Sequence, residues 1–128
     1  MEMEQVQATT PQALIESYLE AIKTKDAALC TQFFADDASI HFLTGVFKGK
    51  QAIEGWHKER FAAEAEVLRV SKIAADGNKV TVEALVTSKK LRAWKIKKLA
   101  GKASVRVQDG KIKEAKLSPR LYNPFEGW

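Results

Sequence analysis

The feature that most limits how this chain can fold is a change of hydrophobic period after residue 63. Up to Ala63 apolar side chains return every three or four residues, and from Leu68 onward they return every second one. Leu14, Ile15, Tyr18, Leu19 and Ile22 form one helical stripe, with Thr10 placed to cap it and Pro11 at the first helical position, where its missing N–H costs nothing. Asp26 is placed to cap a second helix with Leu29, Cys30, Phe33 and Phe34 on its covered face and Asp36-Asp37 at its end. A short strand follows over 39–43, then a brief extended piece, Val46-Phe47, between Gly45 and Gly49. A third helix runs from about Lys50 to Ala63 and covers Ile53, Trp56 and either the stem of Arg60 or Phe61.

The second half reads as strands. Leu68 and Val70 alternate with Arg69 and Ser71, and Asp76-Gly77-Asn78 signals a hairpin turn. Val80, Val82, Ala84 and Val86 alternate with Thr81, Glu83, Leu85 and Thr87 in a long strand. Val105 and Val107 precede a second turn, Asp109-Gly110, and the last strand runs from Ile112 to Leu117. Between these strands, residues 88–101 carry Leu91, Trp94, Ile96 and Leu99 and fit either a strand end with a wide connection or a short helix. Helices first and strands afterwards predict a single α+β domain over residues 1–128. Three N-terminal helices lie on one face of a curved antiparallel sheet of four to six strands, around an internal cavity. The first ten residues are expected to be flexible. In the tail, 119–128, Tyr122, Phe125 and Trp128 are costly to expose and two prolines forbid a regular element, so it either covers the cavity mouth, meets a neighbouring subunit or stays loose.

Composition removes several classes. No apolar run approaches the roughly 20 residues of a membrane span, and the acidic start, Met1-Glu-Met-Glu-Gln5, lacks the basic flank of a signal peptide. The single cysteine, Cys30, has neither a disulfide partner nor a metal-ligand companion, which fits a reducing cytoplasm. The net charge of +5 is unevenly spread: residues 89–120 hold twelve Lys and Arg against Asp109 and Glu114, while the rest is acidic by five. Such a stripe suits a solvated sheet face or an acidic partner. It lacks interleaved aromatics apart from Trp94, which argues against single-stranded nucleic acid. No phosphate loop, nucleophile elbow or zinc pattern occurs, so no cofactor or metal is called for.

The run from Ser17 to His41, SYLEAIKTKDAALCTQFFADDASIH, resembles the opening of the SnoaL-like, or nuclear-transport-factor-2-like, superfamily. Phe47-Lys-Gly-Lys-Gln-Ala-Ile53 is similar to that family's Gly-x-x-x-Ile helix start, and the Asp-Gly hairpin ending near Leu117 completes a likeness over residues 11–118. The resemblance implies a cone-shaped curved sheet closed by helices, a cavity at its wide end and frequently a homodimer through the sheet. It specifies fold more than function, since the family hosts isomerases, cyclases, dehydratases, epoxide hydrolases, transport factors and assembly domains.

Against the ketosteroid isomerase branch, Tyr18 falls where that enzyme keeps its oxyanion-hole tyrosine, and His57 where a second tyrosine supports it. That places a Tyr18–His57 hydrogen bond within reach. Phe42 stands at the general-base aspartate and Ala103 at the protonated aspartate, and neither side chain can carry a proton. The epoxide-hydrolase branch resembles an Asp–Arg–Asp relay inside the cone. Strand alternation instead turns Ala103, Val105, Val107, Ala115 and Leu117 inward and Ser104, Arg106, Glu114 and Lys116 outward, leaving the pocket few carboxylates.

The candidate ligand-binding residues are therefore Tyr18, Phe42, Trp56, His57, Phe61, Trp94, Ala103, Val105, Ala115 and Leu117. Glu59 and Arg60 can reach the cavity mouth, although solvent is the usual place for such side chains, and His41 faces away from the helices. Three functions follow: a homodimeric binder of a small apolar molecule, a proton-transfer enzyme using Tyr18 and His57, or an interaction module with a basic sheet face.

Overall fold

The computed structural model describes residues 10–42, 45–95 and 99–119, Pro119 by its backbone alone. The expectations placed on residues 1–9, on Leu43 and Ile96, and on the tail beyond Pro119 lie outside these. Helix α1 spans Pro11–Lys23, α2 Ala27–Thr31, α3 Lys50–Ala62 and α4 Lys89–Ala93. Strands β1 to β6 span Phe34–Phe42, Gly45–Lys48, Glu66–Asp76, Lys79–Thr87, Leu99–Gln108 and Lys111–Pro119.

Local chemistry sets these boundaries. The Thr10 side chain accepts a hydrogen bond from Ala13 N, and the Asp26 side chain accepts one from Leu29 N, so both expected caps form. Each stabilises its helix by about 1 kcal/mol. The second helix stops earlier than its apolar spacing suggests. Phe34 belongs to β1, because the Phe33 carbonyl accepts Ile112 N at 2.8 Å and commits the chain to the sheet. Asp36 and Asp37 accordingly lie in an irregular stretch of β1, where the register with β6 shifts, and Asp37 takes a hydrogen bond from Lys113.

Both hairpins turn in two residues. Gly77 has φ +60°, the first-position geometry of a turn that favours glycine there, while Asp109 and Gly110 both have positive φ, 54° and 75°. Between the strands a short helix forms over Lys89–Ala93, with Ser88 capping it by accepting from Leu91 N, and β5 begins at Leu99.

The strand order is β2-β1-β6-β5-β4-β3. All neighbours are antiparallel except β1 and β6, which run parallel. The sheet is therefore mixed, with the first strand beside the last. The class stands as α+β with six strands. Helix α1 packs on β3 and β4, α3 on β1 and β2, and α2 joins the two helices.

The core is Ile15 and Leu14 from α1, Ile53 and Trp56 from α3, and the inward residues of the sheet, among them Phe34, Ile40, Val80, Val105 and Ile112. Each such side chain, fully covered, contributes about 1.5–3 kcal/mol of transfer free energy. The alternation expected for β5 holds, with Val105 and Val107 buried and Arg106 exposed. It breaks on β3. Register shifts beside Leu68 and Ser71 put Val70 and Ile73 against the core and leave Leu68 49% exposed rather than paired with Val70 on one face. An extra residue in an edge strand reverses the faces that follow it.

Candidate functional site

Two successive rows of inward residues cross the sheet. Ile40, Ala115, Val105 and Val80 are register partners across β1, β6, β5 and β4, and all are buried. The next row, Phe42, Leu117, Ala103 and Val82, is covered only at Val82. One end of the concave face is thus sealed by helices and the other is partly open. The candidate site lies at the open end, where Trp56 and Arg60 of α3 meet Phe42.

Tyr18 and His57 meet behind Trp56, beside the buried Phe34. They sit on α1 and α3, and the Tyr18 hydroxyl lies 2.7 Å from His57 Nε2. His57 Nδ1 lies 2.8 Å from the Ile53 carbonyl, one helical turn back. A carbonyl only accepts, so Nδ1 carries the proton and donates it. Burial also holds the His57 imidazole below its ordinary value of 6.5, against the opposing pull of the Ile53 carbonyl and Glu54, so the ring is neutral. Nε2 therefore has a free lone pair, and the Tyr18 O–H donates to it.

Burial, with a smaller contribution from Cys30, raises the Tyr18 phenol far above its ordinary value of 10.0. The hydroxyl's one proton is spent on His57, and toward any ligand Tyr18 presents oxygen lone pairs.

Aromatic edges enclose this pair. The rings of Phe33 and Phe34 stand edge-on to Tyr18 at 5.8 and 5.4 Å between centroids. Trp56 stands edge-on to His57 at 5.0 Å and to Phe42 at 5.5 Å, and Phe61 lies 6.2 Å from His57. The Arg60 guanidinium carbon sits 4.8 Å from the centre of the Phe42 ring. Trp56 Nε1 and Arg60 Nε are both buried without a hydrogen-bond partner. Each buried unpaired donor costs about 1–3 kcal/mol, so the pair calls for an explanation.

Of the residues expected at the site, Tyr18, His57, Trp56, Phe42 and Phe61 come together. Ala103 and Leu117 lie next to Phe42 in the sheet, and Val105 and Ala115 sit one row deeper, in the sealed core. Trp94 does not belong. It ends α4, a five-residue helix with no buried residue, and is 62% exposed beneath Lys90 Nζ at 5.4 Å.

Arg60, which the sequence brings within reach of the cavity mouth, stands four positions after Trp56 and shares its helix face. Phe33 joins the Tyr18 enclosure through the early end of α2. His41, as expected, faces outward, with Nε2 3.3 Å from Glu114 Oε2. Glu114 also lies 3.9 Å from Arg106 on that outer face.

Among the described residues every Asp and Glu is at least partly exposed, and none hydrogen-bonds Tyr18 or His57. Also among them, no three His, Cys, Asp or Glu side chains cluster as metal ligands, and no helix is long and apolar enough to cross a membrane. Two clefts lined by described residues lie elsewhere. One of about 340 Å³ involves Asp36, Asp37, Lys50 and Lys113, and one of about 160 Å³ lies beside Thr10 and Gly110. Neither includes Tyr18, His57 or Trp56.

Solved structures with this fold are numerous and distant in sequence. A cystatin-like-fold protein of unknown function from Xanthomonas campestris has TM-score 0.74 at 20% identity, covering 88% of this chain and 92% of its own. A candidate polyketide cyclase from Sinorhizobium meliloti has TM-score 0.72 at 22% identity, with coverage of 82% and 93%. SalBIII, an epoxide hydrolase/cyclase-like enzyme of pyran ring formation in salinomycin, has TM-score 0.73 at 16% identity, with 94% of both chains covered. Among curated proteins none matches the chain in sequence. The sequence pattern of the SnoaL-like domain matches residues 15–115, most of the chain, and with the cone of helices on a curved sheet this makes the protein a member of the SnoaL-like family.

Proposed function

We propose that the protein binds a small, largely apolar molecule at the open end of its cone, with Tyr18 as a hydrogen-bond acceptor for a hydroxyl on that molecule. The observation that carries this reading is the state of the Tyr18–His57 pair. Acid–base work by the pair would pass through a tyrosinate beside an imidazolium. Burial opposes both charges, raising the phenol and lowering the imidazole. A pair so tuned holds its proton in place, which suits recognition. The partly covered row of Phe42, Leu117 and Ala103 supplies the apolar floor.

The test is a thermal-shift screen of hydroxylated steroids, polyketides and terpenes. Stabilising compounds are expected to lose about fivefold to tenfold in affinity with Tyr18→Phe, the worth of one hydrogen bond. Ala103→Leu, which fills the floor, is expected to remove binding while the protein stays folded. No shift with any compound, or equal affinity in wild type and Ala103→Leu, would overturn the reading.

A second reading is an isomerase, cyclase or dehydratase using Tyr18 and His57. It is favoured by the 2.7 Å contact, which puts an imidazole within reach of the phenol. It also has the company of the candidate polyketide cyclase and of SalBIII, which share the fold. Conversion of a bound compound by wild type but not by His57→Gln would establish it in place of the first.

A further inference from the structure

The two unpartnered buried donors on α3 have no role in the Tyr18–His57 pair. Trp56 is 8% exposed, yet its indole Nε1 has no acceptor. Arg60 Nε, one helical turn on, is equally enclosed and unpaired. Both side chains rest on the same ring: Trp56 packs edge-on to Phe42 at 5.5 Å, and the Arg60 guanidinium lies over it at 4.8 Å.

Among the described residues the acid that Arg60 meets is its chain neighbour Glu59, whose Oε1 is 4.0 Å from Nη2, an exposed and loose contact. The Arg60 side chain, 31% exposed, thus holds its charge against an aromatic face at the open end with no closer counter-ion among the described residues. A protein that keeps two desolvated donors and one cation beside a single ring has a place for oxygen acceptors with negative charge.

We infer that Trp56 Nε1 and Arg60 Nε receive a carboxylate of the bound molecule, so that the ligand is an apolar acid whose hydrocarbon body lies along Phe42, Leu117 and Ala103. The inference rests on the proposed binding at the open end and adds its polar anchor. The two polar groups of the site then divide the work: Tyr18 accepts from a ligand hydroxyl, and the α3 pair donates to a ligand carboxylate. A neutral carbonyl would satisfy Trp56 but leave the guanidinium charge unmatched, and the probes separate these cases.

The experiment titrates the folded full chain with 2-naphthylacetate and decanoate, each beside its methyl ester and the hydrocarbon of the same body. Affinity is read by calorimetry and the Trp56 indole N–H by NMR. The chain has three tryptophans, and the Trp56 signal is the one missing in Trp56→Phe. The acid is expected to bind about tenfold or more tighter than ester and hydrocarbon, as a charge-assisted hydrogen bond implies. It is also expected to move the Trp56 N–H downfield, which the hydrocarbon does not. Arg60→Met and Trp56→Phe should remove the preference for acid over hydrocarbon measured within the same variant, with circular dichroism checking that each variant is folded.

Equal binding of acid, ester and hydrocarbon would overturn the anchor and leave the proposed apolar binding standing. So would an acid preference that survives Arg60→Met. An ester as tight as the acid would replace the carboxylate with a neutral carbonyl and overturn the inference as stated. Failure of all six probes to bind would overturn the anchor, and the proposed apolar binding would then stand or fall on the thermal-shift screen.

Discussion

Two neighbouring rows of the concave face share a sheet, a set of strands and a similar apolar character, yet they do different work. Ile40, Ala115, Val105 and Val80 lie under the helices and are sealed. Phe42, Leu117 and Ala103, one pleat along, are covered only in part, and Trp56 and Arg60 lie against Phe42. The sealed row buys stability; the open row trades some of it for accessible apolar surface. Residue type does not separate them. The reach of α1 and α3 over a curved sheet does.

The largest test of this contrast is truncation in each row. Ile40→Ala is expected to destabilise by about 2–5 kcal/mol, the cost of a cavity in a closed core, whereas Leu117→Ala should cost less than half of that because water already reaches the site. Equal losses in denaturant titrations would mean that the second row is sealed as well.

The next test uses pH. The folded His57 takes up a proton less readily than the unfolded one, whose value is near 6.5. The unfolded state therefore binds the proton first as pH falls, and stability rises with pH wherever that is so. The contribution of His57 is complete above about pH 6.5 and is lost on acidification below it. Urea midpoints measured at pH 7.5 and 5.5 should drop for wild type and drop less for His57→Gln. An equal drop in both would place the acid sensitivity elsewhere.

The smallest effect is expected at the other histidine. His41, on the outer face beside Glu114, is partly exposed, and His41→Ala should change stability by no more than about 0.5 kcal/mol. A larger loss would show that the outer face is covered in solution.

Much of the fold was legible because it rests on local rules. Thr10 and Asp26 cap because their side chains reach the N–H groups three residues on, and Asp109-Gly110 turns because both positions take positive φ. The Tyr18–His57 contact was legible through family likeness, since 39 residues separate the partners in sequence. What was hidden came from irregularity and from reach. The register shifts on β3 moved Leu68 outward, and no composition rule marks a bulge there. Trp94 read as core because tryptophan is costly to expose, but its five-residue helix is too short to lay a face on the sheet. Arg60 and Glu59 read alike, as able to reach the cavity mouth, and only the packing of Arg60 on Phe42 separates them.

The sequence by itself determined the element types, the caps, the hairpins and the inward alternation of β5, because each depends on neighbours a few residues away. The tertiary structure alone decided the parallel pairing of β1 with β6, the sealed and open rows, and the proton on His57 Nδ1. Those follow from how far helices extend over a curved sheet, and from which carbonyl and which phenol that packing brings to one imidazole.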